Sequence, residues 1–481
     1  MKKILIGIII CLMLLIPSVV SISINNTTKS KNGNTLYVGG SGPGNYTSIQ
    51  DAIDDAVDGD TVFVYDDSSP YYETVKVDKS INLIGEDRNT TIIKGEDDAL
   101  NSAVSISKDA YNALVTGFTL TGGYYGIEVY STNNFIRGNK IVFNEYGIFL
   151  DRNTYNNKIT NNLIIHNGRI GVWDDDNGAT SSATWNVIGG NGKNTTSYIQ
   201  GGIFKHGSGG IYHHNDFDFN YGYNAYTEQS GNGKWDDGSE GNYWYNWESN
   251  PGYPEVYIIP GDFKKQYDYH PKATSYFNYT IVLIEEISYE GNPGEPIRFK
   301  SEVNRPDSSF TWFWEFGDGT TSNEKNPSHS FSESGIYNIN VTVTDTKGQS
   351  DTDKCVAYIG IPPDKPNIKG PTKCRPNIKY DYLIVSNDSD SDYLHYYIDW
   401  DDAYDDYIGP YPSGEVIETF HIWENPAHYT IRVKAIDETH RESEWANLTV
   451  YITSKATSHS FFLQFLERFP LLKQLFSLYF S

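Results

Sequence analysis

At 481 residues the chain exceeds what one ordinary hydrophobic core organises, so several domains are expected. Its 37 Lys and Arg stand against 62 Asp and Glu, a net charge of −25 that repels nucleic-acid phosphate and anionic membrane surfaces. Aromatic residues make up 15% of the chain, with 38 tyrosines, which favours strands and polar-tipped contact surfaces over helical bundles.

Lys2 and Lys3, an apolar run from Ile4 to Ile16, Pro17 and the small residues after it read as a secretory signal over 1–23. The run is short for a membrane span, so export to the cell surface or the extracellular medium is expected, with retention as an anchor the alternative. Cys11 falls in the signal, leaving Cys355 and Cys374 as the pair of the exported chain. A disulfide between them suits an oxidising exterior; two buried thiols are the other reading.

The next stretch opens with Thr47-Ser-Ile-Gln50, a capping box, and places Ile49, Ile53, Ala56 and Val57 on one helical face. Such a helix can plug the end of an apolar core. From Asn112 to Trp173 the sequence then repeats itself. Asn112 to Gly117 aligns with Asn133 to Gly138 at 21 residues, and Asn139 to Asn144 aligns with Asn162 to Asn167 at 23. Gly126-Ile127, Gly147-Ile148 and Gly171-Val172 recur with them. A period of 21 to 24 with three short β runs per repeat marks a solenoid, one coil per repeat. The Leu-rich consensus and the heptads that would point to other repeat folds are missing. Stacking then predicts Ile141 over Ile164, Ile148 over Val172 and an amide ladder of Asn144 over Asn167.

The stretch "LYVGGSGPGNYTSIQDAIDDAVDGDTVFVYDDSSPYYETVKVDKSINLIGEDRNTTIIKG" resembles the opening of pectin-lyase-like right-handed β-helix proteins. The later coils resemble the NosD-like branch, and "WDDGSEGNYWYNW", Trp235 to Trp247, is similar to its terminal GNYW motif. This resemblance implies an all-β chain with a right-handed parallel β-helix over 35–271 and an N-terminal helical cap. Further on, Trp314, Phe316 to Gly319, Asn326-Pro327, Gly335, Tyr337 and Ile339 resemble the hallmark of a PKD domain, an Ig-like β-sandwich, placed at 278–360. The resemblance implies a spacing or adhesive role. Ile398 to Trp445 resembles a second, divergent sandwich, placed at 363–453, whose turn glycines are lost around Asp399-Trp400-Asp401. The apolar tail at 455–481 carries Glu467, Arg468, Pro470 and Lys473, which makes it a poor membrane span. An interfacial segment, a sorting tag or a docking helix all fit it.

Candidate site residues are few. Asp174-Asp175-Asp176 closes a rung and His206-Gly207 follows, so Asp174, Asp175 and His206 are weak catalytic candidates. They resemble part of the β-helix polygalacturonase set, but the Gly-His-Gly is incomplete and the later Arg-x-Lys is missing. The same loop reads equally as a solvated turn or an oxygen-ligand calcium site. Asp388, Asp390 and Asp392 have calcium-loop spacing, although Tyr393 in place of glycine excludes an EF-hand. Trp173, Trp185, Trp244 and Trp247 are candidate sugar-stacking residues, with packing as the alternative. The adjacent His213 and His214 are expected to point opposite ways on a strand, which argues against a shared metal.

The expectation is an exported, cell-surface or secreted protein with a non-catalytic structural or adhesive role, binding polysaccharide or envelope glycans and proteins through the β-helix. A polysaccharide hydrolase or lyase with PKD spacers is the alternative. No cofactor is required, and calcium is the one ion the acidic loops suggest. Nucleic acid is not an expected partner, and membrane contact would run through the tail.

Overall fold

The computed structural model describes residues 33–453 and 467–469, apart from 96–100, 177–178, 194–199, 208, 229–232, 263, 278, 287, 306–308 and 392. The predicted signal, most of the tail and Asp392 lie outside the described residues.

Short strands joined by tight turns cannot bury their backbone within one coil, so each pairs with its equivalents above and below. Three parallel sheets result. Sheet A runs from Thr35–Val38 through Phe135–Arg137 and Lys158–Thr160 to Gly209–His213. Sheet B runs from Tyr71–Tyr72 through Ile92–Lys94, Thr119–Thr121, Lys140–Val142, Leu163–Ile165, Val187–Gly189 and Asp216–Asp218 to Tyr243–Trp244. Sheet C runs from Val75–Val77 through Tyr146–Leu150, Ile170–Asp174 and Gly201–Lys205 to Tyr223–Thr227. Each coil visits A, B and C in turn. The register matches the repeat: Ile141 lies over Ile164 and Ile148 over Val172. These residues fill one continuous apolar core. The repeated glycine has a steric cause, because a Cβ at Gly147 would stand 2.3 Å from the carbonyl oxygen of Gly171 in the next coil.

The corners of the coil are dry, and asparagine satisfies them. The Asn144 backbone N–H and side-chain amide both donate to Asn167 Oδ1, at 3.2 and 3.1 Å, and Asn167 donates likewise to Asn191. A second ladder climbs from Asn139 through Asn162, Asn186 and Asn215 to Asn242, ending on Asp268. The residue before a ladder asparagine adopts positive φ, as at Asn161, Trp185, His214, Phe143 and His166. Equivalent corner residues therefore stack ring on ring: Trp185 on His214 at 4.2 Å and Phe143 on His166 at 5.5 Å.

The plug is one short helix, Ile49–Asp55, N-capped by Ser48, one residue later than the capping box suggests. Glu73 accepts from the Ile49 and Gln50 amides, at 2.9 and 3.0 Å. Ile49, Ala52, Ile53 and Ala56 enter the coil core, whereas Val57, beyond the helix end, is 61% exposed. At the other end Trp244 closes the core between Phe217 and Tyr257.

Two β-sandwiches follow. The first packs Phe299, Trp314, Phe316, Phe331, Ile339 and Val341 between its layers. The second packs Tyr382, Leu394, Tyr396, Trp400, Trp423 and Ile431. Cys355 belongs to the first core and Cys374 to the second, and both are free thiols. The expected disulfide is therefore corrected: each side chain points into its own sandwich. Instead, Arg441 of the second sandwich donates to the carbonyls of Gly291 and Gly360, both at 2.8 Å.

The first sandwich sits on the outer face of sheet B, where Ile281 and Leu283 cover Val142, Leu163, Ile165 and Val187. Buried polar groups fix this joint. His166 Nε2 meets Asp351 at 2.8 Å, Lys193 pairs with Asp353 at 2.7 Å, and Asn304 donates to Asp218 at 3.0 Å. The other Asp218 oxygen has no hydrogen-bond partner, and burial pushes this carboxyl up to about 7. Burial also pulls the His166 imidazolium down, but Asp351 and then Asp353 outweigh it and hold the ring above its ordinary value.

Two predictions follow from corner and joint. Replacing Asn162 by Ala strands the buried Asn139 amide and the Ile136 carbonyl. It should remove about 3 kcal/mol in urea unfolding, against about 0.5 kcal/mol or less for the exposed Asn153→Ala. For the joint, both shifts are upward, so protons favour the folded state. Stability should fall as pH rises from the unfolded carboxyl value of about 3.9 through about 7 for Asp218. Asp218→Asn should flatten that part of the profile in equilibrium denaturation.

Candidate functional site

Side chains alternate across a strand, so the strands of sheet C sort residues into an inner and an outer set. Inward go Ile148 and Leu150, Val172 and Asp174, Ile203 and Lys205, and Ala225 and Thr227, in register. Two charged residues thus occupy positions that are apolar in the coil below. They answer each other: Lys205 Nζ lies 2.9 Å from Asp174 Oδ1 and also donates to the Asp176 carbonyl. Tyr212, reaching across from sheet A, donates to Asp174 Oδ2 at 2.5 Å. Burial, then Asp174, push its phenol well above the ordinary value. Asp174 is fully enclosed by this network. As a catalytic candidate it is corrected: it neutralises a buried lysine.

Outward go Phe149, Trp173, Phe204 and Tyr226, stacked coil over coil. Neighbouring ring centroids lie 5.3, 6.0 and 6.1 Å apart. Tyr125, Tyr146 and Tyr223 flank them. Phe204 and Tyr226 are covered, while Phe149 and Trp173 are half-exposed. The Trp173 indole N–H has no hydrogen-bond partner.

Two residues further along each strand direction lies a polar row, Asp151, Asp175, His206 and Glu228, held in register by backbone hydrogen bonds between coils. Asp175 hydrogen-bonds His206 Nδ1, and Arg152 Nε stands 3.4 Å from Asp175 Oδ2. His206 Nε2 stands 3.4 Å from Glu228 Oε2. The structure therefore brings Asp175 and His206 together. The sequence reading missed Glu228. The signal was present: Gly147-Ile-Phe-Leu-Asp151, Gly171-Val-Trp-Asp-Asp175, Gly202-Ile-Phe-Lys-His206 and Asn224-Ala-Tyr-Thr-Glu228 are one pattern. Unequal insertions between the copies conceal it.

This surface pairs flat apolar rings with a line of acceptors and a guanidinium donor. Rings of this kind are able to stack on apolar faces, and such a polar row is able to exchange hydrogen bonds with hydroxyls. As a reaction centre it is less complete. Both nitrogens of His206 face carboxylates, so the imidazole is oriented but turned toward Asp175 and Glu228.

The remaining candidates separate. Trp185 is 40% exposed at its corner, and Trp247 is half-buried beside Tyr253. Trp244 is corrected as a contact residue, being 1% exposed and bonded through its indole N–H to Asp268. His213 and His214 do not point apart, because His214 has positive φ just beyond the strand and turns its ring toward His213. Asp390 donates its amide to Asp388 Oδ1 and accepts from Ile361 N, so these two acids shape a turn and hold the linker. Burial, then Asp390, push the Asp388 carboxyl up to about 6. Among the described residues, no group of three or more His, Cys, Asp or Glu is arranged to hold a metal.

Residues 285–359 match the PKD domain family. Over 111 residues the chain is 31% identical to collagenase ColA of Bacillus cereus, a stretch covering 22% of this chain and 12% of that protein. Over 52 residues it is 40% identical to the pre-pro-metalloprotease PrtV of Vibrio cholerae, covering 11% of this chain and 6% of that one. A solved PKD domain of an M14-like peptidase from a Thermoplasmatales archaeon is 38% identical, covering 19% of this chain and 97% of that one, with a TM-score of 0.19. The chain thus spans a small fraction of its curated relatives and shares a module with them. A multidomain, extracellular protein carrying a PKD domain is what these matches support.

The buried pair gives a direct prediction. Lys205→Met leaves the Asp174 carboxylate enclosed without its cation and should cost about 3–5 kcal/mol in chemical denaturation. Asp174→Asn combined with Lys205→Met should recover much of that loss.

Proposed function

We propose that this exported protein binds polysaccharide without cleaving it, through the outer face of sheet C. The supporting observation is the pairing of the Phe149, Trp173, Phe204 and Tyr226 stack with the parallel row of Asp151, Asp175, His206 and Glu228. Successive rungs stand about 4.8 Å apart, so the two rows run along the coil axis and suit an extended chain rather than a compact ligand. The half-exposed Trp173 supplies the stacking platform. The sandwiches space this face from whatever the chain's end contacts. The Lys2–Lys3 start and the apolar run after it support export.

A second reading rests on the Asp175–His206 contact, which could serve a hydrolase or lyase acting on the same glycan. Calorimetric titration of the mature chain with a panel of neutral and acidic oligosaccharides separates the two. Trp173→Ala should weaken binding about tenfold, as loss of one stacked ring implies. No reducing or unsaturated ends should appear. Release of such ends that disappears in Asp175→Asn would replace binding by catalysis.

A further inference from the structure

The outer face of sheet B is only partly covered by the first sandwich. Ile281 and Leu283 lie over the upper coils, from Val142 to Val187. Below them the outward positions are Lys94, paired in register with Thr121, and Lys140, paired with Thr119. Both lysines are half-buried, their neighbours Ile93 and Ile141 pointing into the core. From the sandwich side, Lys354 reaches over the Phe143 ring at 4.4 Å, just past the end of the Lys140 strand. Arg88 stands in the turn before the Lys94 strand, and its charge reaches the Tyr279 phenol. Among the described residues, none of these four cations has a carboxylate within ion-pair distance. That is unexpected in a chain whose 62 acidic residues outnumber its 37 basic ones.

The lysines also crowd one another. Burial and then Lys94 lower the Lys354 ammonium, Asp353 raises it, and Lys140 lowers it again. Holding like charges together is unfavourable unless an anion joins them. Beside them opens a cavity of about 590 Å³, lined among others by Phe143, Lys193, Asn338, Asn340, Asp353 and Lys354. Its size falls within the usual range for small-ligand sites of about 300–1,000 Å³. Lys193 is already paired with Asp353, which leaves Lys354 as the cation open to a ligand. The amides of Asn338 and Asn340 add neutral donors and acceptors, and the Phe143 ring adds an apolar wall.

We infer that this basic cleft, at the joint of the coil and the first sandwich, binds an acidic glycan through its carboxylate or sulfate groups. Lys354 on the cavity wall would hold an anionic group by charge-assisted hydrogen bonds, with Lys140 and Lys94 on the adjoining strands and sugar hydroxyls on the asparagines. The cleft lies on a different sheet from the proposed polysaccharide face and stands without it.

The test uses the full mature chain at low salt, titrated with a uronate hexasaccharide, a neutral hexasaccharide of the same linkage, and sodium sulfate alone. The uronate should bind more tightly than the neutral sugar, and that advantage should shrink as sodium chloride is added. Lys140→Gln with Lys354→Gln should reduce uronate affinity about tenfold or more at an unchanged unfolding midpoint. Binding of the neutral sugar reads the sheet C face, and the uronate-minus-neutral difference reads this cleft, so either can fail alone. Equal affinity for both sugars, or an unaltered uronate affinity in the folded double variant, would overturn the inference. Sulfate alone binding as tightly as the hexasaccharide would overturn the glycan assignment in favour of a free anion.

Discussion

Everything in the coiled domain depends on how its corners hide backbone amides from water. A turn between two buried strands leaves N–H groups with no solvent to bond, and an unpaired one costs about 1–3 kcal/mol. The carboxamide of an asparagine one coil away accepts that hydrogen, while its own amide reaches a carbonyl below. Because the device needs its copy at the same place in every coil, it imposes the repeat on the sequence. It also imposes positive φ on the residue before it, which brings Trp185 over His214 and Phe143 over His166. A backbone requirement thus decides where these rings stand.

The same register organises charge. On sheet C, inward positions that are apolar in lower coils become Asp174 and Lys205, and the next outward positions become Asp175 and His206. Two adjacent acids in sequence therefore have opposite fates. One is sealed with a lysine and a tyrosine; the other stands in a row with an imidazole and an arginine. At the joint, Asp351 and Asp353 accept backbone amides of Val282 and Ile284 as well as side chains from the coil, so the first sandwich is seated by polar contacts inside an apolar border.

The stacking was legible because it is written at short range. Asn144 and Asn167, or Gly147 and Gly171, repeat within 24 residues and carry a single physical meaning. The PKD module was legible through its Trp314 to Gly319 turn and the alternation that ends in Val343. The joint was not. His166 and Asp351 stand 185 residues apart, and each alone reads as an ordinary surface group. Nor was the burial of Asp174, since a strand that ends in Asp looks like one leaving the core. Trp244 misled for a related reason: a large amphipathic ring serves equally well as a lid on a core or as a platform for a sugar, and only the stack of Phe217 and Tyr257 on its faces decides.

The two cysteines have a consequence for the setting in which such a protein works. Cys355 and Cys374 sit in separate cores, and burial pushes the first thiol up to about 12 and raises the second. A thiol held protonated is a poor nucleophile and a poor target for oxidants. Contacts between the sandwiches include Arg441, the Tyr358–His440 ring pair and the linker contact at Ile361, none of which exchanges electrons. Among the described residues, then, neither sandwich core nor the contact between the two depends on a disulfide.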